Sequence, residues 1–169
     1  MTAVGQVKRA VAAAIKAAGC AAIESYSEEQ LKRYATAVAA VGTKETVIEE
    51  SGVAQYLGEK VDEATQETVS VYGRKMLLTL LIEVYAPRTL GAAGCEKAAE
   101  AVTQALMTAL PEGLKLGLLQ WGKTDWDKTT GMFRLDASAK YAAYFVAETA
   151  EDETVFTDFV LKGTVKERE

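Results

Sequence analysis

The chain contains no histidine, so the commonest general base, the commonest transition-metal ligand and the usual near-neutral pH switch are missing together. Cysteine is nearly as scarce: Cys20 and Cys95 are the only two, and the expectation is two small buried thiols rather than a staple. Only 2 prolines interrupt the chain, and 49% of its residues are hydrophobic, which excludes a disordered or low-complexity character. No long apolar run is present. The longest, Met76 to Ile82 with Thr79 inside it, falls far short of the ~20 residues that a bilayer span needs, and the N-terminal stretch has no signal-peptide core. These absences predict a soluble chain made in the cytoplasm, with no membrane partner. An excess of base is lacking too. With 19 Lys and Arg against 24 Asp and Glu, the formal charge is −5, which disfavours a groove that tracks phosphates and predicts no direct sequence-specific nucleic-acid binding.

What remains is 169 residues with enough apolar material for one core, read as a single α+β domain over 1–169. Val4, Val7, Val11, Ile15 and Ala18 recur at three- and four-residue steps, an amphipathic helix that ends near Gly19. Residues 34–49 mix alanines with Gly42, threonines and Val47–Ile48, and are read as extended. From Val69 to Ala86 both parities are apolar, which predicts a central or sandwiched strand closed by Pro87. A second helix follows, with Cys95, Ala98, Val102, Leu106 and Ala109 or Leu110 on one stripe and Pro111 and Gly113 at its end.

Beyond it the period falls to two. Leu114, Leu116 and Leu118 alternate, and Phe133, Leu135, Ala137, Ala139, Tyr141, Ala143, Phe145 and Ala147 share one face opposite Arg134, Asp136, Ser138 and Lys140. The acidic stretch ETAEDE at 148–153 reads as a turn, from which Val155, Thr157, Phe159, Leu161 and Val165 return as an antiparallel partner. The layout predicts two helices packed on a mostly antiparallel sheet, with a C-terminal three-stranded meander.

Two stretches carry the look of chemistry. GLLQWGKT at 117–124 satisfies the phosphate-loop pattern, with Lys123 for the phosphates and Thr124 for magnesium. A phosphate loop, however, needs a buried strand before it, small residues within it and a helix immediately after it, whereas a helix lies upstream here and Leu118, Leu119, Gln120 and Trp121 are too bulky to nest phosphate. The stretch therefore reads as a strand running into a turn over Gly122 to Gly131, with Lys123 exposed near the hairpin tip. DWDKT at 125–129 offers the Asp-x-Asp-x-Thr of phosphoaspartate enzymes, but Gly122, Lys123 and Thr124 stand where an apolar parallel strand should deliver the nucleophile. As a calcium loop, Asp125, Asp127 and Thr129 are followed by Thr130 in place of the turn glycine and Asp136 in place of the bidentate glutamate. Arg74 and Arg134 are expected in structural or intersubunit ion pairs. No catalytic, cofactor-binding or metal-ligating residue is assigned, and no cofactor.

YLGEK at 56–60, the strand end IEVYAP at 82–87, GAAGCEKAAEAVTQAL opening the second helix, and TDWDKTTGMFRLDASAKYAAYF at 124–145 resemble small tail proteins encoded by phages and prophages of Gram-positive bacteria. The family is the tail terminator, or tail-completion, family, and the resemblance in layout and local texture covers residues 35–169. It implies an α+β subunit of a six-membered ring at the head-proximal end of the tail tube, which stops tube polymerisation and docks the head connector. Its partners would be itself, the tail-tube protein and the head-tail connector protein. Its place would be the virion tail after synthesis in the host bacterial cytoplasm, and it would perform no catalysis. Two readings compete: a nucleotide-dependent enzyme using Lys123 and Thr124, and a small ligand- or peptide-binding α+β domain with an enclosed apolar pocket.

Overall fold

The computed structural model describes residues 3–51, 55–111 and 114–148. In chain order the elements are α1 (Ala3–Ala17), β1 (Ala21–Ile23), α2 (Glu28–Leu31), β2 (Val38–Glu49), β3 (Tyr56–Val61), β4 (Thr68–Pro87), α3 (Gly91–Thr108), β5 (Lys115–Asp127) and β6 (Met132–Glu148). The six strands form one mixed sheet in the order β1-β2-β4-β6-β5, with β3 pairing to β4 beyond the end of β2. Among the described strands only β1 lies parallel to its neighbour; the other pairings are antiparallel. The protein is thus α+β.

The apolar stripe of α1 is buried at Val7, Val11 and Ile15. Its end is set by Gly19 at φ +86°, where the Gly19 N–H donates to Lys16 O and the Cys20 N–H to Ile15 O. That pair of bonds satisfies orphan helix carbonyls and needs a left-handed residue, which glycine supplies without strain. The stripe of α3 buries Cys95, Ala98, Val102 and Leu106 as its period requires, together with Ala99 and Ala105. Gly94 lets the first turn of α3 lie close on the sheet: a Cβ there would sit 3.4 Å from the Ala86 Cβ and 2.6 Å from its own helix-start neighbour Leu90.

Alternation then sorts the strands. Met76, Leu78, Leu80, Ile82, Val84 and Ala86 of β4 join Leu135, Ala137, Ala139, Tyr141 and Ala143 of β6 in one cluster with the stripes of α1 and α3. On the opposite face a smaller cluster of Ile23, Leu31, Val38, Ala40, Tyr85 and Met132 sits beneath α2. The Ser27 side chain caps that short helix by accepting from the Gln30 N–H at 3.4 Å.

Three elements lie outside the sequence reading: β1, α2 and β3. The strand at 68–87 is central, as its two apolar parities require, although only one of its faces is covered by α1 and α3. The returning strand expected at 155–165, and with it the third member of the meander, lies outside the described residues.

Burying each large aliphatic side chain of β4 contributes about 1.5–3 kcal/mol, so this strand dominates the stability. Leu80→Ala is expected to cost about 2–5 kcal/mol in urea unfolding, whereas Val61→Ala, on an exposed side chain, should stay within about 0.5 kcal/mol. Equal losses would contradict this assignment of the core.

Candidate functional site

The stretch GLLQWGKT lies wholly inside β5, which continues to Asp127. The turn expected from Gly122 onward is therefore displaced: the chain reverses over 128–131, closed by the Gly131 N–H donating to Asp127 O at 2.9 Å. Two register shifts against β6, between Leu116 and Leu118 and between Trp121 and Thr124, carry the strand through both glycines of the motif. Each shift inserts a residue and resets which side chains face the core. Trp121 faces α3 and donates its indole N–H to Thr103 Oγ1 at 2.9 Å, and that hydroxyl donates to Ala99 O at 2.8 Å. Gly122 packs against the carbonyl oxygen of Asp136, 3.5 Å from where its Cβ would be. Lys123 is not at the hairpin tip. Its side chain is 81% exposed and lies 3.4 Å from Asp125 Oδ2. Among the described residues the motif is followed by the rest of β5 and by β6 rather than by a helix, so it lacks the helix N-terminus that holds phosphate in a phosphate loop.

Asp127, the second acid of DWDKT, closes the turn. Its carboxylate accepts from the Thr130 hydroxyl at 2.6 Å and from the N–H groups of Thr129 and Thr130, both at 3.2 Å. Partial burial raises its pKa, but the bonds from Thr130 and Thr129 outweigh that and hold it below the ordinary aspartate value. Asp125 points to solvent beside Lys123 instead. The two acids thus do separate jobs, and the described residues hold no group of three or more acidic or cysteine ligands fit for a metal ion.

The strongest electrostatic feature is a cluster that only the strand register assembles. Glu83 and Asp136 are direct cross-strand partners, with Arg134 two residues from Asp136 on the same face. Arg134 Nη2 lies 2.8 Å from Asp136 Oδ2 and Nη1 lies 3.9 Å from Glu83 Oε1, while the Tyr85 hydroxyl donates to Glu83 Oε1 at 3.2 Å. One guanidinium thus serves two carboxylates. The structural ion pair expected of Arg134 is present, and Arg74 donates to Gln55 Oε1 at 3.4 Å. Burial and then the charge of Asp136 push the Glu83 pKa up, against the pull of Arg134 and the Tyr85 bond. Burial likewise raises both thiols, Cys95 to about 11, so neither is a ready nucleophile. Cys20 and Cys95 are free and buried, and the Cys95 thiol donates to Phe133 O at 3.2 Å.

Two surfaces remain. Between α3 and β5 lies a groove of about 350 Å³, open to solvent and lined by Ala99, Glu100, Thr103, Met107 and Trp121 among others. The second is an arm. Met76 is the last β4 side chain of the helix-covered core, and residues 68–75 run on from it for roughly 25 Å at ~3.3 Å per residue. There β3 pairs with β4 through Tyr56↔Tyr72 to Val61↔Thr68. Tyr72 has the parity of Met76, and Ile48 is the cross-strand partner of Met76, so Ile48, Tyr56, Val61 and Tyr72 share the face that the helices cover further along. All four are exposed, Val61 at 57%, Tyr56 at 44%, Ile48 at 42% and Tyr72 at 37%. The two tyrosine rings meet edge to face at 5.7 Å. YLGEK carries no period of two, since Tyr56 and Leu57 are adjacent and Glu59 and Lys60 follow Gly58, so no alternation marks this strand in the sequence.

Comparison with protein-family models found no match, and comparison with curated proteins found none either. No helix among the described residues is long and apolar enough to cross a membrane.

Two predictions follow from this geometry. Lys123→Ala should leave stability within about 0.5 kcal/mol, and equilibrium dialysis at millimolar ATP or GTP with magnesium should show no saturable binding; binding that Lys123→Ala abolishes would overturn the strand reading of 117–124. Because the folded pKa of Glu83 is raised, the folded state holds its proton more tightly than the unfolded chain, and stability falls as pH rises from the ordinary value of 4.5 through the raised one. The melting-temperature difference between Glu83→Gln and wild type should therefore grow in the variant's favour across that window and level off above it. A difference independent of pH would refute the assignment.

Proposed function

We propose that this chain is a structural tail-assembly protein of a phage or prophage, a tail terminator whose copies close into a ring at the head-proximal end of the tail tube and dock the head connector. The reading has two supports of different kinds: the resemblance carried by residues 35–169, and the exposed Ile48, Tyr56, Val61 and Tyr72 of the projecting arm, which lie on one face with Arg74 and Glu59. The arm is the observation that carries it. A chain that places Ile48, Tyr56, Val61 and Tyr72 on one face beyond its own core leaves apolar surface that a protein partner can bury. Aromatic residues that are part apolar and part polar suit such a contact.

Ring closure asks for two unlike surfaces on each copy, because a head-to-tail contact repeated by rotation joins one patch to a different one. The arm face and the groove between α3 and β5 are two such surfaces, at different places in the sheet order. In this reading the protein works by self-association and docking, needs no cofactor, and belongs to the virion tail. The Lys123 and Thr124 side chains have no part in it.

Native mass spectrometry of the full chain, alone and with tail-tube protein, tests the proposal. A single closed oligomer is expected, and the double variant Tyr56→Ser, Tyr72→Ser should shift it to monomer with little change in melting temperature. A chain that stays monomeric under both conditions would overturn the reading, as would an oligomer indifferent to the two tyrosines.

A further inference from the structure

The groove between α3 and β5 is chemically one-sided. Its hydrogen-bonding floor is satisfied from within: Thr103 Oγ1 accepts from the Trp121 indole and donates to Ala99 O, and Thr108 Oγ1 donates to Gln104 O. What it offers outward is the indole ring, the Met107 side chain, which is 74% exposed, and the Glu100 carboxylate. Glu100 belongs to none of the ion pairs among the described residues. An occupant that suits such a groove has an aromatic body with a cation set to one side of it.

The arm carries that combination. Tyr72 and Arg74 stand on one face of β4, and Tyr56 packs edge to face on Tyr72. The Arg74 Nε–H donates to Gln55 Oε1, which leaves its two terminal nitrogens as the fork that grips a carboxylate. A copy cannot supply its own arm. Trp121 is level with Ala137 and Ile82, about 20 Å up β4 from Met76 at ~3.3 Å per residue, and the unbroken β4–β6 ladder carries the arm away from it.

Charge fixes the direction. On the arm, Glu59 lies opposite Ser70, about 13 Å from Arg74 along β4. In the groove, Glu100 stands about 12 Å along α3 from the helix end at Thr108, beyond which β5 opens with the exposed Lys115. One orientation sets Arg74 by Glu100 and Glu59 toward Lys115, whereas the reverse sets like charges together at both ends.

We infer that the arm of one copy seats in the groove of another, with β4 of the arm antiparallel to α3, Tyr72 against Met107 and Trp121, and Arg74 on Glu100. The contact rests on the self-association in the proposed function, not on its phage setting, and gives the ring a receptor surface and a register. It is head to tail, each copy giving an arm and taking one.

Charge exchange in the full-length chain tests the register, read as the dissociation constant of the oligomer by sedimentation. Arg74→Glu and Glu100→Arg should each weaken association by about tenfold or more, and both together in one chain should restore it to within about threefold of wild type. Melting temperatures should not move, since both side chains are exposed. Weakening by each single variant without rescue by the pair would overturn the stated pairing. Mixing reads the geometry. The arm variant Tyr56→Ser, Tyr72→Ser and the groove variant Met107→Glu should each be monomeric, and together they should form one-to-one pairs and nothing larger, because a single intact arm and a single intact groove remain between them. An oligomer that Glu100→Arg and Met107→Glu leave intact would overturn this docking while the ring stands on another surface. A wild-type chain that stays monomeric alone and with tail-tube protein would overturn the docking and the ring together.

Discussion

All 17 residues of β6 pair with β4 without a register shift, from Val71↔Glu148 to Pro87↔Met132. Because side chains alternate across a strand, this one register decides which face every residue of the pair occupies. Slipping it by one residue would send Leu135, Ala137, Ala139 and Tyr141 out of the helix-covered core and bring Arg134, Asp136, Ser138 and Lys140 in. The penalty for burying those polar groups is what specifies the pairing. The rest follows from it. β2 and β3 share one edge of β4, β5 takes the outer side of β6, and α1 and α3 lie over the apolar face that the ladder creates. The same register sets Glu83 opposite Asp136, so the charge cluster is a by-product of the core.

That cluster lies on the face opposite α1 and α3, beside the smaller core beneath α2. Two carboxylates side by side repel, and Arg134 offsets them both, closely at Asp136 and more loosely at Glu83. One oxygen of Asp136 is buried without a hydrogen-bond partner among the described residues, a cost the pair carries in place of a fully satisfied network. The Tyr85 hydroxyl turns back to Glu83 while its ring sits in the smaller core with Met132 and Val38. A single side chain thereby joins the apolar and polar parts of this face. Lys44 reaches in the same direction from its bulge, donating to Ser138 Oγ at 3.3 Å.

How far the sequence could be read depended on whether burial had written a period into it. α1, α3, β4 and β6 each bury a face over many residues, and all four are legible from their apolar spacing. β5 was legible only to Trp121, because the shifts at 116/118 and 121/124 reset the parity and the polar residues after Gly122 imitate a turn. The helix α2 has 4 residues and β1 has 3, too short for any period to appear. β3 buries no side chain, so nothing forced its residues to alternate strongly. The Glu83 and Arg134 contact joins positions far apart in the chain and requires the register to be known. Arg134 could be expected to pair; its partners could not. The same limit explains GLLQWGKT, whose letters match a phosphate loop while its backbone obeys the strand.

The edges and faces of the sheet impose different rules on any partner. Bulges at Thr43/Glu45, Tyr56/Gly58, Leu116/Leu118 and Trp121/Thr124 interrupt the main-chain donors and acceptors along β2, β3 and β5, so a second copy cannot simply continue the ladder there. Association at those rims must therefore use side chains. The side chains on offer are unequal: near α3 a groove with Trp121 on its wall, and on the arm a strip of Ile48, Tyr56, Val61 and Tyr72. The arm reaches well past the core, whereas the indole of Trp121 is held in place by Thr103. A projecting apolar element and a fixed concave one differ in shape, so a contact between them joins unlike patches. Such a contact propagates from copy to copy until rotation closes it, which a patch meeting its own copy across a two-fold axis would not do.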